Sequence, residues 1–135
     1  MAVAFLIIGL CGSGKTHLAK DMIKRNAEFT TDPLSMVLID DPKDLKEINE
    51  CIELGANIIV CDPHLCDAKN REAAKKYLES KDYRVWEYFF ENDPEQCHRN
   101  IVDRDDGRYI TLAGLKSFNY TIPENTIATP VYRPT

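Results

Sequence analysis

Apolar residues come in short blocks, and the blocks alternate between two periods. Val3–Ile8 is a continuous apolar stretch, as expected for a strand covered on both faces. Lys15–Asn26 places Leu18, Ala19, Met22 and Ile23 on one helical face. A second strand is expected over residues 35–39. Asp41-Pro42 then reads as the start of a helix, with a carboxylate cap and proline at the first helical position. Leu45, Ile48 and Ile52 supply that helix's stripe, and Gly55 is placed to end it. The remaining pattern predicts a strand over 57–61, a polar helix over 67–80 and a strand over 84–90. Asp93-Pro94-Glu95 opens a further helix to Arg104. After Gly107 the pattern weakens to a short helix over 112–117 and a last strand over 126–131.

Strands that alternate with helices imply a parallel sheet with helices on both faces. That alternation, together with Gly9-Leu10-Cys11-Gly12-Ser13-Gly14-Lys15-Thr16 between the first strand and the first helix, gives the expectation of an α/β, three-layer P-loop NTPase fold in one domain of 135 residues, with a parallel sheet of four or five strands. In such sheets ligands bind beyond the carboxyl ends of the strands. The loop after the first strand and the acidic ends of the second and third should meet there, with the second strand beside the first.

Gly9-Leu10-Cys11-Gly12-Ser13-Gly14-Lys15-Thr16 matches G-x-x-x-x-G-K-[ST] in full, between a strand and a helix. Glycines let the backbone turn tightly and aim N–H groups at phosphate, with the positive helix end behind them. Lys15 is expected to reach the terminal phosphates, and Thr16 to offer its hydroxyl to Mg²⁺. Gly9, Cys11, Gly12, Ser13 and Gly14 complete the cradle for ATP. Asp40 suits a carboxylate that orients an acceptor hydroxyl and takes its proton. Asp62 suits one that holds Mg²⁺ or its water, or else a turn former before Pro63. Asp41 reads as the helix cap. Arg99, Arg104 and Arg108 suit a lid over the phosphates, because a guanidinium binds phosphate oxygens as a fork. The alternative is an exposed helix end whose cations complement the dipole.

Composition narrows this further. The apolar content of 44% can build a core, and no run reaches the roughly 18 apolar residues of a membrane span. The five cysteines lack CxxC or zinc-knuckle spacing and read as reduced thiols of a cytoplasmic protein. No histidine has ligand spacing to another. A net charge of −5 argues against a broad non-specific nucleic-acid surface, though not against a local basic site.

The phosphate loop, the Ile39-Asp40-Asp41 strand end and Ile58-Ile59-Val60-Cys61-Asp62-Pro63-His64-Leu65 together resemble the kinase domain of bacteriophage 5′-polynucleotide kinases. The likeness continues through Arg71, Arg84-Val85-Trp86-Glu87, Arg99-Asn100 and Pro130-Val131-Tyr132. The resemblance implies ATP- and Mg²⁺-dependent phosphorylation of a hydroxyl, with Asp40 as the base and Arg99 and Arg104 as lid arginines. It implies the kinase half alone, in a host cytoplasm if phage-encoded. Lys43 stands where the family often carries an arginine that grips a substrate phosphate, and Pro63 stands where it carries a hydroxyl residue. The 41–57 segment is also short for an acceptor-binding region. Three readings follow: a kinase of a nucleic-acid, nucleoside or modified-base hydroxyl, a kinase of another small metabolite, or a non-catalytic ATP-binding module.

Overall fold

A computed structural model of the chain describes residues 2–28, 35–42, 44–105, 107 and 109–134. In chain order these form β1 (Val3–Ile8), α1 (Lys15–Asn26), β2 (Val37–Asp40), α2 (Lys46–Glu53) and β3 (Ile58–Cys61). A 3-10 turn (Pro63–Cys66), α3 (Ala68–Ser80), β4 (Arg84–Phe89), α4 (Pro94–Arg104) and α5 (Leu112–Lys116) follow.

The sheet has four strands in the order β2-β3-β1-β4, and every pairing is parallel. Parallel neighbours need a crossover, and the helices between the strands supply it. The alternation along β1 divides the core in two. Phe5 and Ile7 pack with Ile59, Cys61 and Ala19 under α1. Ala4, Leu6 and Ile8 pack on the other face with Ile48 of α2, Leu78 of α3, Ile101 of α4 and Leu115 of α5. Each such aliphatic side chain contributes about 1.5–3 kcal/mol by leaving water. Apolar content on both faces of β1 is thus what puts the sheet between two helical layers.

The expected α/β architecture is present, with four corrections of detail. First, β2 is an edge strand: β3 lies between it and β1. The register sets Asp40 opposite Cys61, and Cys61 opposite Ile7, so the three strand ends still finish level.

Second, Asp41-Pro42 does not open a helix. Asp41 adopts a left-handed φ of 49°, and its N–H donates to the Cys61 carbonyl at 2.6 Å. The sheet ladder has claimed the residue that the cap required. Helix α2 begins five residues later, after Asp44 has accepted the Lys46 N–H at 2.9 Å. Lys43 lies outside the described residues. The end of α2 follows expectation, with Gly55 at φ 68°.

Third, the last strand shrinks to one bridge. Thr129 donates to the Phe89 carbonyl at 2.7 Å and accepts from Glu91 N–H at 2.8 Å, on the free edge of β4. Beyond it the chain's hydrogen bonds turn to the phosphate loop instead: Tyr132 N–H donates to the Ser13 carbonyl at 2.9 Å.

Fourth, a 3-10 turn stands between β3 and α3, where the apolar and polar pattern predicts no element. Pro63 sits at its first position and Asp62 caps it. Asp93 caps α4 with its side chain, as Asp93-Pro94-Glu95 predicts, and Asp67, expected as the first residue of a helix, caps α3 in the same way. No helix among the described residues is long and apolar enough to cross a membrane.

Candidate active site

Strand β1 ends inside the core, and the loop from Gly9 to Gly14 carries the chain into α1. Gly12 and Gly14 hold φ of 83° and 107°, conformations that a side chain resists. Their lack of Cβ serves packing as well. A Cβ on Gly12 would stand 2.5 Å from the Cys97 carbonyl oxygen of α4, and one on Gly14 would stand 2.9 Å from the Tyr132 Cβ. The loop is thus gripped between α4 and the segment after Thr129.

Within the loop, Lys15 is buried and its Nζ donates to the Leu10 carbonyl at 2.8 Å. Ser13 is fully buried, and its Oγ is the one buried side-chain polar atom without a partner among the described residues. Such orphans are rare in a settled interior and mark a place where a group is expected. The Thr16 hydroxyl donates to Asp40 Oδ2 at 3.1 Å. Hydroxyl and carboxylate are hard oxygen donors, brought together where the loop meets the acidic strand end, and they suit Mg²⁺.

These residues open on a cavity of about 600 Å³, a volume suited to a ligand of nucleotide size. Cys11, Gly12, Gly14, Lys15, Thr16, Asp40 and Arg104 all line it. Gly9 and Ser13 lie buried behind that surface. Arg99 is exposed on α4 and does not line the cavity; the charge it meets is Glu95, one turn back, whose carboxyl lies below its ordinary range through its own backbone hydrogen bond first and a bond from Lys116 next. Arg108 lies outside the described residues.

Asp62 keeps different company from Thr16. Its Oδ1 accepts the His64 backbone N–H at 2.9 Å and lies 2.8 Å from the His64 Nδ1. Asp41, Asp62 and His64 each bring one ligand atom to within 4.8 Å of the others. That trio arises because β2 and β3 end level, which brings Asp41 beside Asp62. Asp41 and Pro63 extend the cavity wall to this corner.

Three buried thiols, Cys61, Cys66 and Cys97, pack near the loop. Burial pushes Cys61 up to about 12, and the Asp40 charge adds to the shift. Burial does the same to Cys66 and Cys97, each to about 12. At neutral pH all three remain protonated, so they act as small core fillers.

The sequence assigns no role to several supporting residues. Asn100 donates its amide to the Gly12 and Tyr132 carbonyls. Tyr120 donates to the Ile8 carbonyl at 3.2 Å and also to that of Phe90, closing the strand ends from below. Burial raises the phenol above its ordinary range. Arg71 sits in a helix that reads as polar, yet it is buried. It donates to the Leu65 and Cys66 carbonyls at 3.0 and 3.2 Å and stacks over Phe89.

Comparison with solved structures decides the fold. A gluconokinase from Sinorhizobium meliloti 1021 superposes with a TM-score of 0.62 over 98% of this chain and 84% of its own, at 11% identity. The chain has a P-loop kinase fold. Among curated proteins it is 29% identical over 108 residues to the uncharacterized protein R277 of Acanthamoeba polyphaga mimivirus, covering 76% of this chain and 73% of that protein. No protein-family model matches the chain.

Proposed function

We propose that this protein is an ATP- and Mg²⁺-dependent phosphotransferase that moves the γ-phosphoryl group to a hydroxyl acceptor. The observation that carries the reading is the Thr16–Asp40 hydrogen bond, at the mouth of a complete phosphate loop and beside a nucleotide-sized cavity. Beyond steadying Thr16, a carboxylate there can take an acceptor's proton, a task that ATP binding alone does not set.

Lys15 gives up the Leu10 carbonyl and follows the transferring phosphoryl group as a point charge. Thr16 would hold Mg²⁺, and Asp62 would provide a carboxylate within the same cluster of strand ends. The ion would neutralise charge on the β- and γ-phosphates. Asp40 keeps Oδ2 on the Thr16 hydroxyl and turns Oδ1 to the acceptor. The acceptor oxygen forms its bond to the γ-phosphorus as the bond to the β–γ bridging oxygen breaks. Asp40 takes the proton, and ADP leaves. Arg104, on the cavity wall, meets the charge that spreads over the γ-phosphate oxygens. Arg99 has the weaker claim to a lid role, given its place on the outer face of α4.

The acceptor is a hydroxyl of a nucleoside, modified base or nucleic acid, as the resemblance implies. Another small metabolite is the second reading. It is favoured by Asp40 and Asp41, two exposed carboxylates on the cavity wall, which repel a phosphate-bearing acceptor. The gluconokinase likeness is in keeping with a small acceptor. The test is transfer from γ-labelled ATP to oligonucleotides with 5′-hydroxyl ends, to nucleosides and modified bases, and to sugars and sugar acids. Transfer to the first group alone would sink the second reading. Absence of transfer to all, alongside tight ATP binding, would leave a nucleotide-binding module.

A further inference from the structure

Asn100 sits beside the exposed Arg99 on α4, but its side chain points inward. A side-chain amide has two N–H donors. Here the nitrogen gives one to the Gly12 carbonyl at 2.8 Å and the other to the Tyr132 carbonyl at 2.7 Å. The amide oxygen accepts from Gln96 Nε2 at 3.0 Å, which settles which end is which. One side chain therefore joins three parts of the chain that are far apart in sequence: the lid helix, the phosphate loop and the strap of residues 129–134.

The strap is held to the loop at further points. Tyr132 N–H donates to the Ser13 carbonyl, and Gly14 lets the Tyr132 Cβ approach its backbone. Val131 is anchored in the core at 2% exposure. The Tyr132 ring remains 46% exposed on the cavity wall, 5.1 Å from the His17 ring at 40°. A flat ring fixed at that place, next to a phosphate cradle, is a surface on which another flat ring can stack.

We propose that Asn100 is a positioning residue for the donor nucleotide: it locks the strap onto the phosphate loop so that Tyr132 forms the wall against which the nucleobase stacks. This rests on the ATP-binding reading and deepens it. Bonds to Asn100 and Ser13 hold the strap in place, and a wall that is already fixed costs less to order around a ring. The loop grips phosphate whether or not a base is attached, whereas the Tyr132 ring meets only the base. Asn100 thus acts on nucleotides and not on bare polyphosphate.

That difference is the test. Calorimetry with Mg²⁺ compares ATP with inorganic tripolyphosphate on wild type, Asn100→Ala, Asn100→Asp, Tyr132→Ala and Lys15→Ala. Asn100→Ala should weaken ATP by about tenfold or more and tripolyphosphate by less than about threefold. Asn100→Asp should be worse for ATP than Asn100→Ala, since its second oxygen faces two carbonyl oxygens. Tyr132→Ala keeps every backbone bond of the strap and should show the same selective loss even if the Asn100 variants do not fold. Lys15→Ala should weaken both ligands. Equal losses of both ligands in Asn100→Ala or Tyr132→Ala would reduce these residues to structural ones, and undiminished ATP binding would overturn the proposal outright. If the wild type bound neither ligand, the ATP reading itself would fall, a result distinct from either.

Discussion

On the donor side of the cavity the phosphate loop is tied at several points. Lys15 is bonded to Leu10, Gly12 to Asn100, the Ser13 carbonyl to Tyr132, and α4 presses on the loop where only glycine fits. On the acceptor side the side-chain ties are fewer, Asp40 to Thr16 and Asp62 to His64. Asp40 and Asp41 are exposed, and the His64 side chain is 71% exposed and bonded to Asp62. The donor side is built to bind one unvarying group, and rigidity favours that. The acceptor corner is a set of charges on loop ends, the part of a scaffold that changes most readily when substrate changes.

The largest test of this contrast is Asp40→Asn. It keeps size and most hydrogen bonding but removes the charge, so phosphoryl transfer should fall by about 100-fold or more while the ATP-induced thermal shift stays nearly intact. Lys15→Ala should do the reverse in binding. It should remove most of a shift that, at about 100-fold ligand excess over Kd, is worth roughly 2.7 kcal/mol, with the unliganded protein still folded. If Asp40→Asn lost ATP binding as severely as Lys15→Ala, the two sides would not be separable.

The two arginines divide along the same line. Arg104→Ala should lower kcat by about 100-fold with little change in ATP affinity, and Arg99→Ala by no more than a few-fold, about 1 kcal/mol in the barrier. Equal effects in steady-state assays would place Arg99 over the phosphates after all.

Asp41→Asn should not change thermal stability, because Asp41 caps no helix and asparagine accepts a left-handed φ readily. If Asp41→Asn were inactive and Asp40→Asn active, the base would be Asp41.

A separate effect is alkaline. Cys61, Cys66 and Cys97 have thiols raised from 9.0 to about 12 by burial. The unfolded chain loses those protons first as pH rises. Stability is therefore full below about pH 9 and is lost between there and about 12. Denaturant midpoints measured from pH 7 upward should fall in that window, and Cys97→Ala should flatten the fall.

Features governed by local rules are legible in the sequence by itself. The phosphate loop, the helix cap at Asp93, the glycine end of α2 and the alternation of strand with helix all follow from chemistry within a few residues. The α/β fold follows in turn, since apolar strands joined by amphipathic helices have few ways to bury both. Tertiary structure alone decided the rest. Asp41 is drawn from its helix by a hydrogen bond across the sheet, and β3 displaces β2 from beside β1. Asp62 meets His64 and Asp41 rather than Thr16 because strand register, set by the packing of whole faces, determines which ends meet. Asn100 becomes the join between helix, loop and strap for the same reason. A side-chain amide in the middle of a helix says nothing of its partners until the fold brings two distant carbonyls within reach of it.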